Sequence, residues 1–160
     1  MDEPRRTAEL YRVIYEGDAK GEAWHGVALK PLLANVTAEQ ASRVPAAGGH
    51  SIYQLVQHIA YWEEVVVRRV RGEVVDAPLN TPDDWPSNRK ISDAEWQQAL
   101  RRLDASHLAL RRAMEQFPEE KLVETVPKRD HDYYTLLNGI IDHCVYHSGQ
   151  IALVKKSVSN

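Results

Sequence analysis

Residues 133–156 read YYTLLNGIIDHCVYHSGQIALVKK. Within them Leu136, Ile140, His143, His147, Ile151 and Val154 recur at intervals of three and four, the spacing of one face of an α-helix. A helix is therefore expected over about 134–156. At about 100° per residue, His147 lies about 40° from His143, and Gln150 about 20° to its other side. Both imidazoles thus project from an otherwise apolar face, one turn apart. Histidine is the commonest metal-binding side chain, and two on one turn can chelate a single ion.

Working outward, the run SIYQLVQHIAYWEEVVVRRVRG begins at Ser51, a suitable N-cap, and ends at Gly72, a helix stop. Across the helix it predicts, Gln54, Leu55, Trp62, Val65 and Val66 surround His58 on an inward stripe. A first helix is expected from Pro4 to about Glu16, since proline suits the first turn. Apolar periodicity resumes from Trp24 through Val27, Leu29, Leu32 and Leu33. A short helical turn capped by Thr37 follows. Ser92 and Glu95 form a capping box that opens another helix, running to about Gln116 and halted by Pro118. No run alternates with a period of two, so strands are not expected. Four long helices predict an all-α four-helix bundle, residues 1–160 forming one domain. The connection of about twenty residues between the second and third helices is longer than antiparallel neighbours need. It allows those two helices to run in the same direction.

The 160 residues carry 23 acidic and 20 basic side chains, a formal charge of -3, which argues against a nucleic-acid partner. No apolar run approaches the roughly 18 residues of a membrane helix. The start, MDEPRRTAEL, has no secretory apolar segment. Cys144 is the only cysteine, which excludes an internal disulfide framework. These features together predict a cytoplasmic protein without membrane segments.

A single histidine on an apolar face is ordinarily a hydrogen-bonded core residue. Three on two core stripes point instead to a metal, because packed imidazoles without an ion are costly to desolvate and repel one another when protonated. His58, His143 and His147 are the expected ligands. Ile140 and Cys144 stand where di-iron bundles place the glutamate of Glu-x-x-His. His143-Cys-Val-Tyr-His147 also lacks the glutamate of a zincin. Three neutral nitrogens leave room for water or a substrate atom.

The pattern His50-Ser51-Ile52-x-x-Leu55-x-x-His58-Ile59, the pattern His143-x-x-x-His147-x-Gly149-Gln150 and the tryptophan-bearing EAWHG at 22–26 together resemble the DinB-like superfamily over about residues 10–156. The resemblance implies a helical bundle with a divalent ion, usually zinc or nickel, on His58, His143 and His147. It also implies dimers in many members, and activities in which a low-molecular-weight thiol such as bacillithiol or mycothiol is transferred to a small electrophile. The family's name reflects induction by DNA damage and implies no DNA binding. The expected activity is thiol transfer to a small-molecule substrate. The alternatives are metal-dependent hydrolysis of a small ester or amide, and metal or small-ligand binding without turnover.

Other residues carry lesser expectations. Gln150 shares the histidine face and is expected to hydrogen-bond a ligand imidazole or the substrate. His50 is expected to serve in capping at its helix entrance and not as a ligand, and His25, His107 and His131 to have structural or solvent roles. Cys144 points about 100° from His143 and reads as a buried small hydrophobe. Trp62 reads as core or pocket wall, Trp85 as the anchor of a surface loop, with a cover for the pocket mouth as the alternative, and Tyr61 and Tyr146 as minor candidates for proton donation.

Overall fold

The structure, a computed structural model, describes residues 1–158. Its elements are α1 (Glu3–Glu16), a hairpin of β1 (Glu22–Ala23) and β2 (Gly26–Val27), α2 (Leu29–Leu33), α3 (Ala38–Ser42), α4 (Ile52–Val70), α5 (Asp93–Glu115) and α6 (Tyr133–Val158). The described residues are all-α apart from the hairpin and an isolated bridge between Thr125 and Asp132. Caps fix the helix starts. The Asp2 carboxylate accepts from the Arg5 amide, and Thr37–Gln40, Ser51–Gln54 and Ser92–Glu95 each form a reciprocal capping box.

The hairpin corrects one expectation. The apolar spacing from Trp24 suggested helix, and the chain is helical only from Leu29. Residues 22–27 instead pair antiparallel, Glu22 opposite Val27 and Ala23 opposite Gly26. Gly26 adopts φ 122°, a value closed to side chains with a Cβ, and this turns the chain back on itself. Trp24, which the sequence placed on a helix, sits at the hairpin tip and is fully exposed. Gly17, at φ 84°, makes the preceding break compact. A Cβ there would lie 2.5 Å from the Gly21 carbonyl carbon.

The long helices pack in a closed sequence of neighbours: α4 on α5 and α6, and α1 on α5 and α6. Side-chain pairs give their directions. Arg102 on α5 donates to Gln57 and, at 2.8 and 2.7 Å, to both carboxylate oxygens of Glu64, while further along Ala109, Arg112 and Ala113 line one hollow with Val70 and Arg71, so α4 and α5 run the same way. His58 meets His143 while the Tyr133 hydroxyl donates to the Arg69 carbonyl, so α4 and α6 are antiparallel. Residues 72–91 make the crossover. Ile59, Leu103, Leu110, Leu137 and Ile151 are completely or almost completely buried between the helices. Each contributes about 1.5–3 kcal/mol by leaving water.

One end of the core is polar. His107 is 2% exposed and stacks on Tyr15 at 3.9 Å, with neither ring nitrogen hydrogen-bonded. Burial, helped by the charge of Arg111, pulls its pKa down to about 3. The unfolded imidazole titrates near 6.5, so the stability held by the neutral ring is full above that pH and is lost as pH falls toward 3. Replacing His107 with leucine is expected to remove this loss. Urea unfolding at pH 7 and pH 4.5 should show the wild type losing about 2–3 kcal/mol more than the variant across that interval.

Candidate metal centre

Ser51 caps α4 through its hydroxyl, and Gln54 returns its carbonyl oxygen to the Ser51 amide. The Gln54 amide group also donates to the Pro86 carbonyl at 2.8 Å, which ties the crossover to the helix that carries His58. His58 lies one helical turn beyond Gln54, facing α6. On α6, His143 and His147 point back. The structure brings together the three histidines expected from the sequence, one ring nitrogen of each lying within 4.8 Å of the others. His58 and His147 are each 6% exposed.

Hydrogen bonds fix which nitrogens face inward. His58 Nδ1 lies 3.0 Å from the Asp84 carbonyl oxygen and 2.8 Å from Asp84 Oδ1. The carbonyl can only accept, so Nδ1 carries the proton and Nε2 presents its lone pair. His147 Nδ1 donates to Gln150 Oε1 at 2.7 Å, which again leaves Nε2 free. His143 Nε2 is 3.0 Å from His58 Nε2, and His143 Nδ1 is buried without a partner. Tetrahedral ligands at about 2.0–2.1 Å from an ion stand about 3.3 Å from each other, so this separation is within a few tenths of an ångström of a shared coordination shell. The donor set and the convergent lone pairs suit a metal ion, and His58, His143 and His147 could hold one together.

The electrostatics favour the neutral, ligating form. Burial pulls His143 down to about 3, with the neighbouring His147 and His58 adding to it, and pulls His147 to about 4 despite the bond to Gln150. Burial also lowers His58, and here it outweighs the opposing pull of Asp84. At neutral pH no proton competes for these nitrogens.

Sequence reasoning missed Asp84. It is 1% exposed and holds the crossover together: its carboxylate accepts from Trp62 Nε1 at 2.8 Å and from the Asn80 amide at 2.7 Å, besides His58. Carboxylate contact to the far nitrogen of a ligating histidine fixes the tautomer and raises ligand basicity. Among the described residues Asp84 is the only carboxylate within ion-pairing distance of a site histidine. Its one trace in the sequence is the run Asp83-Asp84-Trp85-Pro86 in an otherwise aperiodic connection. Asp84→Asn is expected to weaken metal binding about 10- to 100-fold, measured by competition against a chromophoric chelator.

Trp85 does more than anchor a surface loop. Its ring is sandwiched between His50 at 3.6 Å and His58 at 3.7 Å, nearly parallel to both. His50 does not cap the helix, a role Ser51 takes, and it acts instead through this stack. His25 is exposed, and His131 lies beside Asp130 away from the three rings. Cys144 is fully buried, and burial pushes its thiol well above the ordinary range. Tyr146 packs its ring 5.0 Å from His147 but is largely exposed. Tyr61 stands against Trp62. From His143 a cleft of about 300 Å³ opens between α4 and α6, walled by Trp62, Val66, Leu136 and Ile140.

No helix among the described residues is long and apolar enough to cross a membrane. No curated protein and no solved structure matches the chain. The family model of the DinB superfamily does, from residue 23 to residue 151, a span that contains all three histidines, Asp84 and Gln150. That match covers well over half of the sequence, and the chain therefore belongs to the DinB superfamily.

Proposed function

We propose that the protein is a metal-dependent enzyme that transfers a low-molecular-weight thiol to a small electrophilic substrate. The observation carrying this reading is the convergence of three neutral imidazole nitrogens beside an apolar cleft, with the one neighbouring carboxylate, Asp84, already engaged by His58, Trp62 and Asn80. A bound divalent ion would supply Lewis acidity and favour the thiolate over the thiol at neutral pH.

The chain's own residues do the rest. Asp84 and Gln150 hold the His58 and His147 rings in the ligating tautomer. Trp85, clamped between His50 and His58, shields one side of the centre from water. Trp62, Val66, Leu136 and Ile140 offer an apolar wall that positions the electrophile. The thiol proton leaves to solvent, sulfur forms a bond to the electrophilic carbon, and the leaving group departs with its electron pair. No protein base is required, which suits a site whose only carboxylate is occupied.

Zinc- and nickel-reconstituted protein should be screened with a panel of cellular thiols and electrophilic acceptors, beside His147→Ala. Conjugation that needs thiol, metal and His147 supports the proposal. Ester or amide turnover without any thiol would replace it with metal-dependent hydrolysis. Tight metal retention with no turnover in either screen would leave a binding protein.

A further inference from the structure

The cleft beside His143 ends, at its far side, on Arg69, His131 and Thr135. Arg69 is the anomaly. It is 7% exposed, its Nε has no hydrogen-bond partner, and its closest polar contact is a long 3.4 Å bond to the Val75 carbonyl. Arg129 donates to that same carbonyl at 2.8 Å, so the nearest charge is a second cation. Among the described residues no carboxylate lies within ion-pairing distance of Arg69, whereas Arg12, Arg43, Arg68, Arg89, Arg102 and Arg111 all have one. A buried guanidinium without an anion is costly, and its planar fork matches a carboxylate.

The geometry between the two ends suits a small molecule. Arg69 sits 5.9 Å over the Trp62 ring, and the same indole lies 6.4 Å from the rings of His58 and His143. Along α6 the cleft runs from Thr135 to His143, eight residues or about 12 Å. Its floor is Gly139, where an added Cβ would meet no atom within 4 Å. The helix there is regular, so this glycine's contribution is the open space above it.

We propose that this cleft takes a small organic carboxylate as the substrate of the three-histidine centre. The carboxylate pairs with Arg69, the apolar body lies on Trp62 above Gly139, and the other end reaches His143. This inference rests on the histidines being the reacting centre.

3-Phenylpropionate and its neutral amide are titrated calorimetrically into zinc-reconstituted protein, and the metal content of every sample is measured. The acid is expected to bind at least about 10-fold more tightly than the amide. Arg69→Met should weaken the acid about 10- to 100-fold and leave the amide unchanged. Gly139→Leu, which fills the cleft, should weaken both. In His147→Ala the acid should still bind, since Arg69 and Gly139 remain. Equal affinity for acid and amide, no binding at millimolar concentrations, or acid binding lost with His147 but indifferent to Arg69 would each overturn the proposal. Should Arg69→Met not fold, the acid-against-amide comparison on wild-type protein carries the test. Protein that binds the acid through Arg69 yet holds no ion rejects the metal-dependent reading and keeps the cleft. Ion-bearing, thiol-active protein without a preference for the acid does the reverse.

Discussion

Replacing His58, His143 or His147 singly with alanine is expected to take metal content from one ion per chain to almost none after dialysis against a weak chelator. The basis is the geometry: one ring nitrogen from each residue lies within 4.8 Å of the other two, and no other His, Cys, Asp or Glu of the described residues joins the group. Removing one leaves two nitrogens, too few for a stable three-ligand site. The loss should exceed the 10- to 100-fold expected for a change outside the ligand set, so Asp84→Asn should fall between these variants and the wild type. Elemental analysis of dialysed protein reads the effect directly. The folded state should persist at neutral pH, because burial already holds His143 and His147 neutral and the rings repel one another little without the ion.

Glu63→Gln is expected to make the protein resistant to mild alkali. Glu63 is fully buried on α4, where one carboxyl oxygen meets the Tyr11 hydroxyl and the other the Ser106 hydroxyl. Ser106 is also 3.0 Å from the Leu103 carbonyl, which can only accept. If the single serine proton goes there, Glu63 must donate to Ser106, which requires a protonated carboxyl. Burial points the same way, pushing the Glu63 pKa up to about 8. A folded pKa above the unfolded value of about 4.3 means a contribution fully present below 4.3 and lost as pH rises through 8, on the order of 4–5 kcal/mol in all. That is a large part of a typical stability of about 5–15 kcal/mol. Glutamine keeps an acceptor for Tyr11 and a donor for Ser106 without the titration. Between pH 6 and pH 9 the wild type should lose about 2–3 kcal/mol in urea unfolding, and the variant should lose much less. Parallel pH profiles would show that Glu63 is charged at neutral pH.

What the sequence made legible follows from periodicity. His143 and His147 could be placed because 3.6-residue repetition fixes a face, and Ser51 and Ser92 because caps are local chemistry. Gln150 was visible for the same reason, sharing the turn of His147. Asp84 was not, because its partner lies 26 residues away across a connection with no repeat to orient it. Glu63 was hidden differently. It precedes another glutamate that faces Arg102, and spacing alone does not say which of two adjacent carboxylates enters the core. Burial depends on Tyr11 and Ser106, supplied by other helices. The hairpin at 22–27 escaped because Trp24 and Val27 have helical spacing, and the backbone of Gly26 overrides it. Arg69 looked like an ordinary base in the last turn of a helix, and only packing reveals that it is buried with its Nε unpartnered among the described residues.

The central claim is that His58, His143 and His147 together hold one divalent ion. X-ray absorption at the zinc edge, on zinc-loaded protein without added thiol, tests it most directly. The expected spectrum shows three imidazole nitrogens at about 2.0–2.1 Å and no sulfur. Sulfur scattering, which would bring in Cys144, or fewer than three imidazoles, would contradict it.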